Sequence, residues 1–511
     1  MASSRVIKIG ALAVATLVVG ACGGSGGTAG QTDSLTVAWF IPPSSMDPHM
    51  NPSAAGAHPY IDLLYDRLTA IEPVDGIPTV VPSVAESWDY SSDGRTLTFS
   101  LRRDVKFHDG TPLDAKAVVA SMDRALHRPQ SSAQDKFTMV EGVSAPDDYT
   151  VRFNLDEPST DLPFILATTL GSIVDPKAVG DDLSAHPAGS GPYELTALTV
   201  GDKATFTRVD DYWNPSTYVI PKVEIRGIVD DNARMNALRS GQIDAALSRM
   251  SQYRDATAMA DSGDFTLSTS GRTSWYTIYL NSDRGPLRDP RVRQALNYAI
   301  DRDALNDSLM NGQCAPTSQP LQEGVDGHVS EDGFGYRHDP DKARALLAEA
   351  GYADGLEIKA LTTGAHAQLS VGIQAQLQAV GVKMDFENSD FGEALPRWES
   401  GEVDAWQYSM AGNPEPGFTL RDRYLDRSQQ GRLPDGFAQT IRSALAHEPG
   451  DATRTALLEQ ASRVASEQAL EVFICAPATQ YLHTPGVVGF DEMTPPFVGG
   501  PFELRHVHYA E

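Results

Sequence analysis

Positive charge is scarce in this sequence of 511 residues: 41 lysines and arginines stand against 68 aspartates and glutamates, a formal net charge of −27. Nucleic-acid binding depends on concentrated positive charge facing the phosphates, so this balance argues against a nucleic-acid partner. Strong acidity is typical of a protein that stays soluble in a crowded exterior, and by itself it does not establish a preference for cationic ligands.

Catalytic motifs are also missing. The sequence contains no P-loop, H-E-x-x-H, C-x-x-C or protein-kinase motif set. One G-x-S-x-G match, at residues 23–27, lacks the preceding strand and the following helix that a hydrolase nucleophile requires. His506 and His508 would share one face of a strand, but two ligands do not make a metal site. We therefore assign no catalytic residue, no metal and no cofactor, and we expect a binding protein rather than an enzyme.

The N-terminus carries an apolar run that is too short to span a bilayer comfortably. Residues 9–19 follow two basic residues, as in a signal peptide, which we place at 1–21. The small residues before Cys22 resemble a bacterial lipobox, which implies cleavage there and two acyl chains that anchor the protein to the membrane. Residues 22–32 then form a flexible tether. The alternative is an ordinary cleavage site with an incidental cysteine.

Alternating strand and helix patterns fill the rest of the chain, and the most regular run is 83–126. Apolar residues alternate with polar ones from Leu97 to Leu101, which predicts a half-buried strand. Thr111 is expected to cap the following helix, with Pro112 at its first position. The same run contains no evident catalytic group or metal cage.

Further along the chain, the pattern predicts a helix over Tyr60–Leu68 and a βαβ unit in the second half. In that unit, strands at Leu356–Leu361 and Val382–Phe386 flank a helix over Gln368–Val380, so a right-handed crossover in one sheet is expected. No internal repeat of fixed period is visible. The fold class predicted from these units is α/β.

A family resemblance is carried by residues 88–118, which read W-x4-DG-x-T-x-TF-x-LR-x-DVKFHDGTPL-x-A-x-x-V. This run resembles the signature of the family 5 extracellular solute-binding proteins, which bind dipeptides, oligopeptides, nickel or haem for ABC importers. Further matches to the family lie at residues 188–195, 211–213, 237–244 and 289–302. The resemblance covers nearly all of the chain after residue 32, although fold accounts for these residues at least as well as ligand binding does.

The resemblance implies a two-lobed clamshell of the periplasmic-binding-protein type. Lobe I would span residues 33–270, with an extra subdomain inserted at about 85–190. Lobe II would span 275–480, and residues 482–511 would return to lobe I. These hinge positions come from the resemblance and not from composition.

The resemblance also implies a function. The protein would be a monomeric, lipid-anchored subunit on the outer face of a bacterial cell membrane, capturing di- or oligopeptides and delivering them to ABC permease and ATPase subunits. Ligand contacts to both lobes would favour the closed form. Nickel complexes or another small solute remain alternative ligands. A secreted hydrolase, or an envelope protein that has lost transport, is the alternative class.

Candidate ligand-binding residues cluster in three places: the loop after the first strand, the first strand of lobe II, and the region where peptide-binding relatives place a D-P element whose acid receives the peptide amine. They are Ser45, Asp47, Trp275, Tyr276, Trp406, Tyr408, Asn413 and Glu415. Here Asn413 precedes the proline and the acid lies one step past it, so the anchor is lost or is moved to Glu415. Core packing is the alternative role for each aromatic residue.

Two further expectations concern single residues. If Glu415 receives the peptide amine, its replacement by alanine weakens peptide affinity by roughly tenfold or more. Cys314 and Cys475 are the two cysteines left after Cys22, and outside the cytoplasm they could form a disulfide. The sequence does not show whether they meet.

Overall fold

The computed structural model describes residues 33–51, 54–74, 77–331, 334–410, 412–425, 431–493 and 502–510. The predicted signal peptide, the tether and the predicted lipidation site at Cys22 lie outside the described residues. No helix in the described ranges combines the length and the apolar composition needed to cross a bilayer.

The described chain alternates between strands and helices. The strands are β1 (Ser34–Trp39), β2 (Thr69–Val74), β3 (Ile77–Pro82), β4 (Ala85–Tyr90), β5 (Thr96–Leu101), β6 (Val140–Asp147), β7 (Thr150–Leu155), β8 (Tyr193–Thr199), β9 (Lys203–Arg208), β10 (Lys222–Gly227), β11 (Ala245–Ser248), β12 (Thr266–Ser270), β13 (Trp275–Leu280), β14 (Cys314–Pro316), β15 (Leu356–Thr362), β16 (Val382–Asn388), β17 (Ala405–Met410), β18 (Glu471–Pro477), β19 (Thr479–His483), β20 (Val487–Val488) and β21 (His508–Tyr509). The helices are α1 (Ala54–Ile61), α2 (Ala115–His127), α3 (Leu162–Leu166), α4 (Asp231–Arg239), α5 (Tyr253–Asp261), α6 (Pro290–Ala299), α7 (Arg302–Leu309), α8 (Pro340–Glu349), α9 (Ala367–Gln378), α10 (Phe391–Glu399), α11 (Pro416–Tyr424), α12 (Phe437–Leu445) and α13 (Ala452–Glu467).

Two large sheets organise the fold. The first has seven strands in the order β12-β19-β11-β1-β10-β9-β8, and the second has six in the order β14-β18-β13-β17-β15-β16. We call the part built on the first sheet lobe I and the part built on the second sheet lobe II. The chain passes from lobe I to lobe II between Ser270 and Trp275, and it returns at Ala478, between β18 and β19.

The second sheet contains the βαβ unit that periodicity predicts. Strands β15 and β16 pair in parallel, from Leu356 opposite Val382 to Thr362 opposite Asn388. Helix α9 connects them and buries Leu369, Ile373 and Leu377. The expectation of two parallel strands joined by a helix is therefore confirmed.

A separate four-stranded sheet, in the order β4-β5-β7-β6, carries the most regular stretch of the sequence. Leu97, Phe99 and Leu101 of β5 are buried, as the alternation predicts. The predicted helix start is wrong by three residues: Asp114, not Thr111, is the N-cap, and its carboxylate accepts a hydrogen bond from the backbone N–H of Ala117. Pro112 instead pairs with Lys106 in an isolated β-bridge, which keeps it outside the helix.

The helix predicted over Tyr60–Leu68 is also misplaced, because the structure puts α1 at Ala54–Ile61. The carbonyl oxygens of Leu63 and Leu64 accept hydrogen bonds from the backbone N–H groups of Tyr193 and Gly191, so they are not available to a helix. A Cβ atom on Gly191 would come within 2.4 Å of the Leu64 carbonyl carbon. Glycine is therefore required for the close backbone path that its motif predicts.

Candidate ligand-binding site

A cavity of about 820 Å³ lies between the two lobes and is lined by residues of both. In each lobe, the carboxyl ends of parallel strands face this cavity. Ligands of open α/β sheets bind at this edge, since the loops that follow the strands gather there. We call this space the interlobe cavity.

Three strands supply the lobe I side. Strand β1 runs parallel to both β10 and β11, so all three end at the same edge of the sheet. Phe40 follows β1, Val229 follows β10 and Arg249 follows β11, and all three side chains line the interlobe cavity.

Lobe II presents the matching edge. The loops after the parallel strands β15 and β16 contribute residues 363–366 and 388–391 to the cavity. Tyr408 comes from β17, which is parallel to β15, and Tyr276 comes from β13, which pairs with β17.

Aromatic rings form the lobe II wall. The ring of His366 lies 5.5 Å from that of Tyr276 and 6.0 Å from that of Tyr408, and Phe391 stacks on Tyr408 at 5.6 Å. Burial, followed by the nearby charge of Arg249, lowers the pKa of His366 to about 4, so this imidazole is neutral at pH 7. Burial raises the pKa of Tyr408 to about 12. The wall therefore offers uncharged rings with polar tips.

Two of the described side chains that line the cavity carry a formal charge. Asp390 is the N-cap of α10, and its carboxylate accepts a hydrogen bond from the backbone N–H of Glu393. Arg249 lies with its guanidinium over the ring of Phe40, 4.6 Å from the centroid. The carboxylate nearest to Arg249 is that of Asp231, at 3.7 Å.

A second cavity, of about 420 Å³, lies between the lobe I surface around Trp88 and Phe164 and the start of α11 in lobe II. Glu415, the N-cap of α11, lines it. One carboxylate oxygen of Glu415 accepts a hydrogen bond from the backbone N–H of Phe418, and the other pairs with Arg454. Both oxygens of the predicted amine anchor thus have partners within the fold.

Of the residues predicted to bind ligand, Tyr276 and Tyr408 line the interlobe cavity. Trp275 and Trp406 lie behind them and are buried. The indole N–H of Trp275 donates to Glu471 at 3.0 Å, and the Trp406 ring packs against Tyr408 at 4.6 Å. The two tryptophans therefore support the lobe II wall from the core.

The other predicted residues lie apart from this wall. Asn413 is buried, and its backbone N–H donates to the hydroxyl of Thr419. Asp47 is buried in an ion pair with Arg124, and the hydroxyl of Ser45 accepts a hydrogen bond from the backbone N–H of Asp47. Within the described ranges, Ser45, Asp47 and Asn413 line neither cavity.

The two remaining cysteines meet in the second sheet. Cys314 of β14 and Cys475 of β18 form a disulfide, with their Cα atoms 5.4 Å apart. Both residues are fully buried. The bond therefore joins an edge strand to a strand next to the sheet centre.

Sequence reasoning missed the polar residues that the cavity gathers, above all Arg249, His366 and Asp390. A usable signal was present for His366 and Asp390, which follow the predicted strands at Leu356–Leu361 and Val382–Phe386 within a few residues, whereas no strand was predicted before Arg249. Knowledge of the strand order in each sheet would have placed these loops at one edge, but hydrophobic periodicity does not predict strand order.

The first comparison is with a family model, and it covers more than half of the chain. Residues 79–432 match the model of the bacterial extracellular solute-binding proteins, family 5. A glutathione-binding protein of Pectobacterium atrosepticum is 32% identical over 317 residues, and the match spans 61% of the length of each protein. A di/tripeptide-binding protein of Pseudomonas aeruginosa is 28% identical over 484 residues, 86% of this chain and 88% of that protein.

Solved structures share the fold over almost the whole chain. The periplasmic binding protein DppA from Helicobacter pylori, in complex with the peptide STSA, superposes with a TM-score of 0.82 at 23% identity, covering 94% of this chain and 98% of that one. NikA from Brucella suis, in complex with Fe(III)-EDTA, gives 0.81 at 25% identity, covering 93% and 100%.

These likenesses confirm the α/β, two-lobed prediction. The matched relatives are named as solute-binding proteins and not as enzymes. With the family model matched over residues 79–432, the chain belongs to the family 5 bacterial extracellular solute-binding proteins.

Proposed function

We propose that this protein captures a small peptide in the interlobe cavity and delivers it to an ABC importer. One observation carries the proposal: the carboxyl ends of parallel strands from both lobes face one cavity of about 820 Å³. That volume lies in the range of about 300–1,000 Å³ that is usual for small-molecule sites. Enclosure by both lobes suits a solute that must be held and then released.

The peptide assignment draws on the lining and on the relatives. Hydroxyl groups of Ser248, Ser274 and Tyr276 lie among the aromatic rings of the cavity, a mixture that suits a backbone with several polar groups. The relatives are named for glutathione and for di- and tripeptides. A di- or tripeptide is therefore the ligand class that we propose for this chain.

Closure of the lobes would couple capture to delivery. Contacts between the lobes on the side of the second cavity include the Arg421 ion pair with Asp161, at 3.0 Å, and the packing of the Phe164 ring against the tilted ring of Phe418, with centroids 5.3 Å apart. These contacts, together with ligand contacts to both lobes, would favour the closed form. The permease would then recognise the closed form.

Anchoring completes the proposed function. Cleavage before Cys22 and lipidation of its sulfur would hold the protein at the outer face of the cell membrane, and the following glycine-rich residues would let it move there. In cells of the native type, Cys22→Ala is expected to release the protein from the membrane fraction. Retention of the variant in the membrane fraction would remove the anchor from the account.

The ligand is tested with protein isolated from its native envelope. Solutes released by denaturation are identified by mass spectrometry, and their affinity is measured by calorimetry on the wild-type protein, on Tyr408→Ala and on the control Tyr149→Ala. Tyr149 is a suitable control because its ring packs against Arg103 and it is not among the described residues that line the cavity. We expect co-purified peptides and an affinity that only Tyr408→Ala reduces. Exclusively non-peptide solutes would contradict the peptide assignment.

A further inference from the structure

Arg249 is the one arginine or lysine among the described residues that line the interlobe cavity. It follows β11 directly and is 29% exposed, so it is largely enclosed but open to the cavity. A guanidinium carries five N–H donors in one plane. How those donors are used decides whether Arg249 is a structural residue or a binding residue.

The surroundings hold the guanidinium in place without using its donors. Phe40 supports one face of the plane at 4.6 Å, a contact that leaves the N–H groups at the edge free. Asp231 is too far for a hydrogen bond at 3.7 Å, and its two oxygens already accept from Arg234 and Ser251, each at 2.6 Å. Across the described chain, the guanidinium of Arg249 donates no hydrogen bond to protein.

The opposite wall lies within electrostatic reach of this charge. Burial raises the pKa of Tyr276, and the charge of Arg249 opposes that rise. Burial, then Arg249, lowers the pKa of His366, which faces the cavity from lobe II. The other charged lining residue, Asp390, is engaged at the N-terminus of α10. A cation with free donors therefore faces the uncharged rings of Tyr276 and His366.

We propose that Arg249 receives a carboxylate of the captured solute, which makes carboxylate-bearing compounds the ligand class of the interlobe cavity. A planar guanidinium matches a carboxylate with two parallel hydrogen bonds, so it fixes the orientation of the ligand as well as its charge. This inference rests on the proposed function, and for a peptide the group is the C-terminal carboxylate. The rest of the solute would lie against Tyr276, His366 and Tyr408.

The first test uses two matched pools of di- and tripeptides, one with free C-termini and one with C-terminal amides, both without acidic side chains. Calorimetry on the wild-type full chain should show the free acids binding at least about tenfold more tightly, the scale of a charged hydrogen-bonded contact. Equal affinity for acids and amides would overturn the inference while leaving peptide capture intact. This arm needs no variant and does not depend on the folding of one.

Variants then assign the preference to one residue. Arg249→Gln should lose the preference for free acids, and Arg249→Lys should keep part of it, because lysine keeps the charge without the planar fork. Arg254→Gln is the matched control, since Arg254 is exposed on α5 and carries the same charge. An unchanged preference in a folded Arg249→Gln variant, checked by circular dichroism, would overturn the inference.

A last arm separates the two proposals if no peptide binds. The chain is exposed to a small-molecule extract from its native cells, either untreated or methyl-esterified, and retained solutes are identified by mass spectrometry. Retention that esterification abolishes supports a carboxylate ligand even if that ligand is not a peptide. Retention of the same solutes after esterification contradicts the role of Arg249, and no retention from either extract contradicts both proposals.

Discussion

The buried ion pair between Glu415 and Arg454 leads to a prediction that separates a structural role from a ligand-binding role. Glu415 is 8% exposed and Arg454 is 1% exposed. Removing one partner of a buried pair costs about 3–5 kcal/mol, because the other charge stays buried without compensation. Loss of the N-cap of α11 adds about 1 kcal/mol. We therefore expect Glu415→Ala to lower the free energy of unfolding by roughly 4–6 kcal/mol.

The assay combines urea unfolding with hydrogen exchange of α11, because a chain with two lobes need not unfold in one step. Glu402→Ala is the control: Glu402 is 54% exposed and pairs with Arg397, so its loss should cost less than about 1 kcal/mol. The double variant Glu415→Gln/Arg454→Met should recover much of the loss, since neither charge is then left alone.

The same variants test the amine-anchor hypothesis. Because both oxygens of Glu415 are engaged with Phe418 and Arg454, we expect the folded double variant to bind peptide with an affinity within about threefold of wild type, a free-energy difference under 1 kcal/mol. A loss of tenfold or more in peptide affinity, with little change in stability, would refute this reasoning and restore Glu415 as the anchor.

Three further predictions follow from buried groups. Glu471 accepts hydrogen bonds from Trp275 and Tyr424 and pairs with Arg423, so Glu471→Ala should cost about 3–5 kcal/mol of unfolding free energy in urea titrations, and a loss below about 1 kcal/mol would contradict the pairing. The disulfide joins residues that are 161 positions apart, so by the chain-entropy relation its reduction should lower the free energy of unfolding by about 5 kcal/mol. Unfolding curves with and without reductant measure this loss, and identical curves would contradict it. Burial lowers the pKa of His49 to about 3. The neutral imidazole therefore favours the folded state above the unfolded pKa of about 6.5, and this stabilisation is lost at up to about 1.4 kcal/mol per pH unit as the pH falls. In His49→Gln, the free energy of unfolding should depend less on pH between about pH 6.5 and 4.

Periodicity predicted much of the local structure, whereas the cap predicted at Thr111 was wrong. The alternation in Leu97–Leu101 and the βαβ pattern over residues 356–386 each correspond to an observed element, because one-sided burial imposes the period. The same logic failed at Tyr60–Leu68, where residues 61–70 are all buried and no exposed face remains to set a period. There the backbone pairs with the glycine loop around Gly191 instead.

The candidate site was harder to predict because it is assembled from distant segments. Tyr276 and Tyr408 were found because the resemblance pointed to the first strand of lobe II and to the region of the D-P element. Arg249 and His366 were missed because they follow strands whose neighbours in the sheet are far away in sequence. Asp47 carries a carboxylate in the loop after β1, as a binding residue could. That carboxylate is paired with Arg124, which lies 77 positions away in the sequence.

Hydrogen exchange with and without ligand, on the full chain and a pool of free di- and tripeptides, tests the central claim most directly. If the solute is held between the lobes, protection should rise together in the loops after β1 and β11 of lobe I and in residues 363–366 and 388–391 of lobe II. Protection confined to one lobe, or to residues 414–416 and 448–455 around the second cavity, would contradict capture in the interlobe cavity.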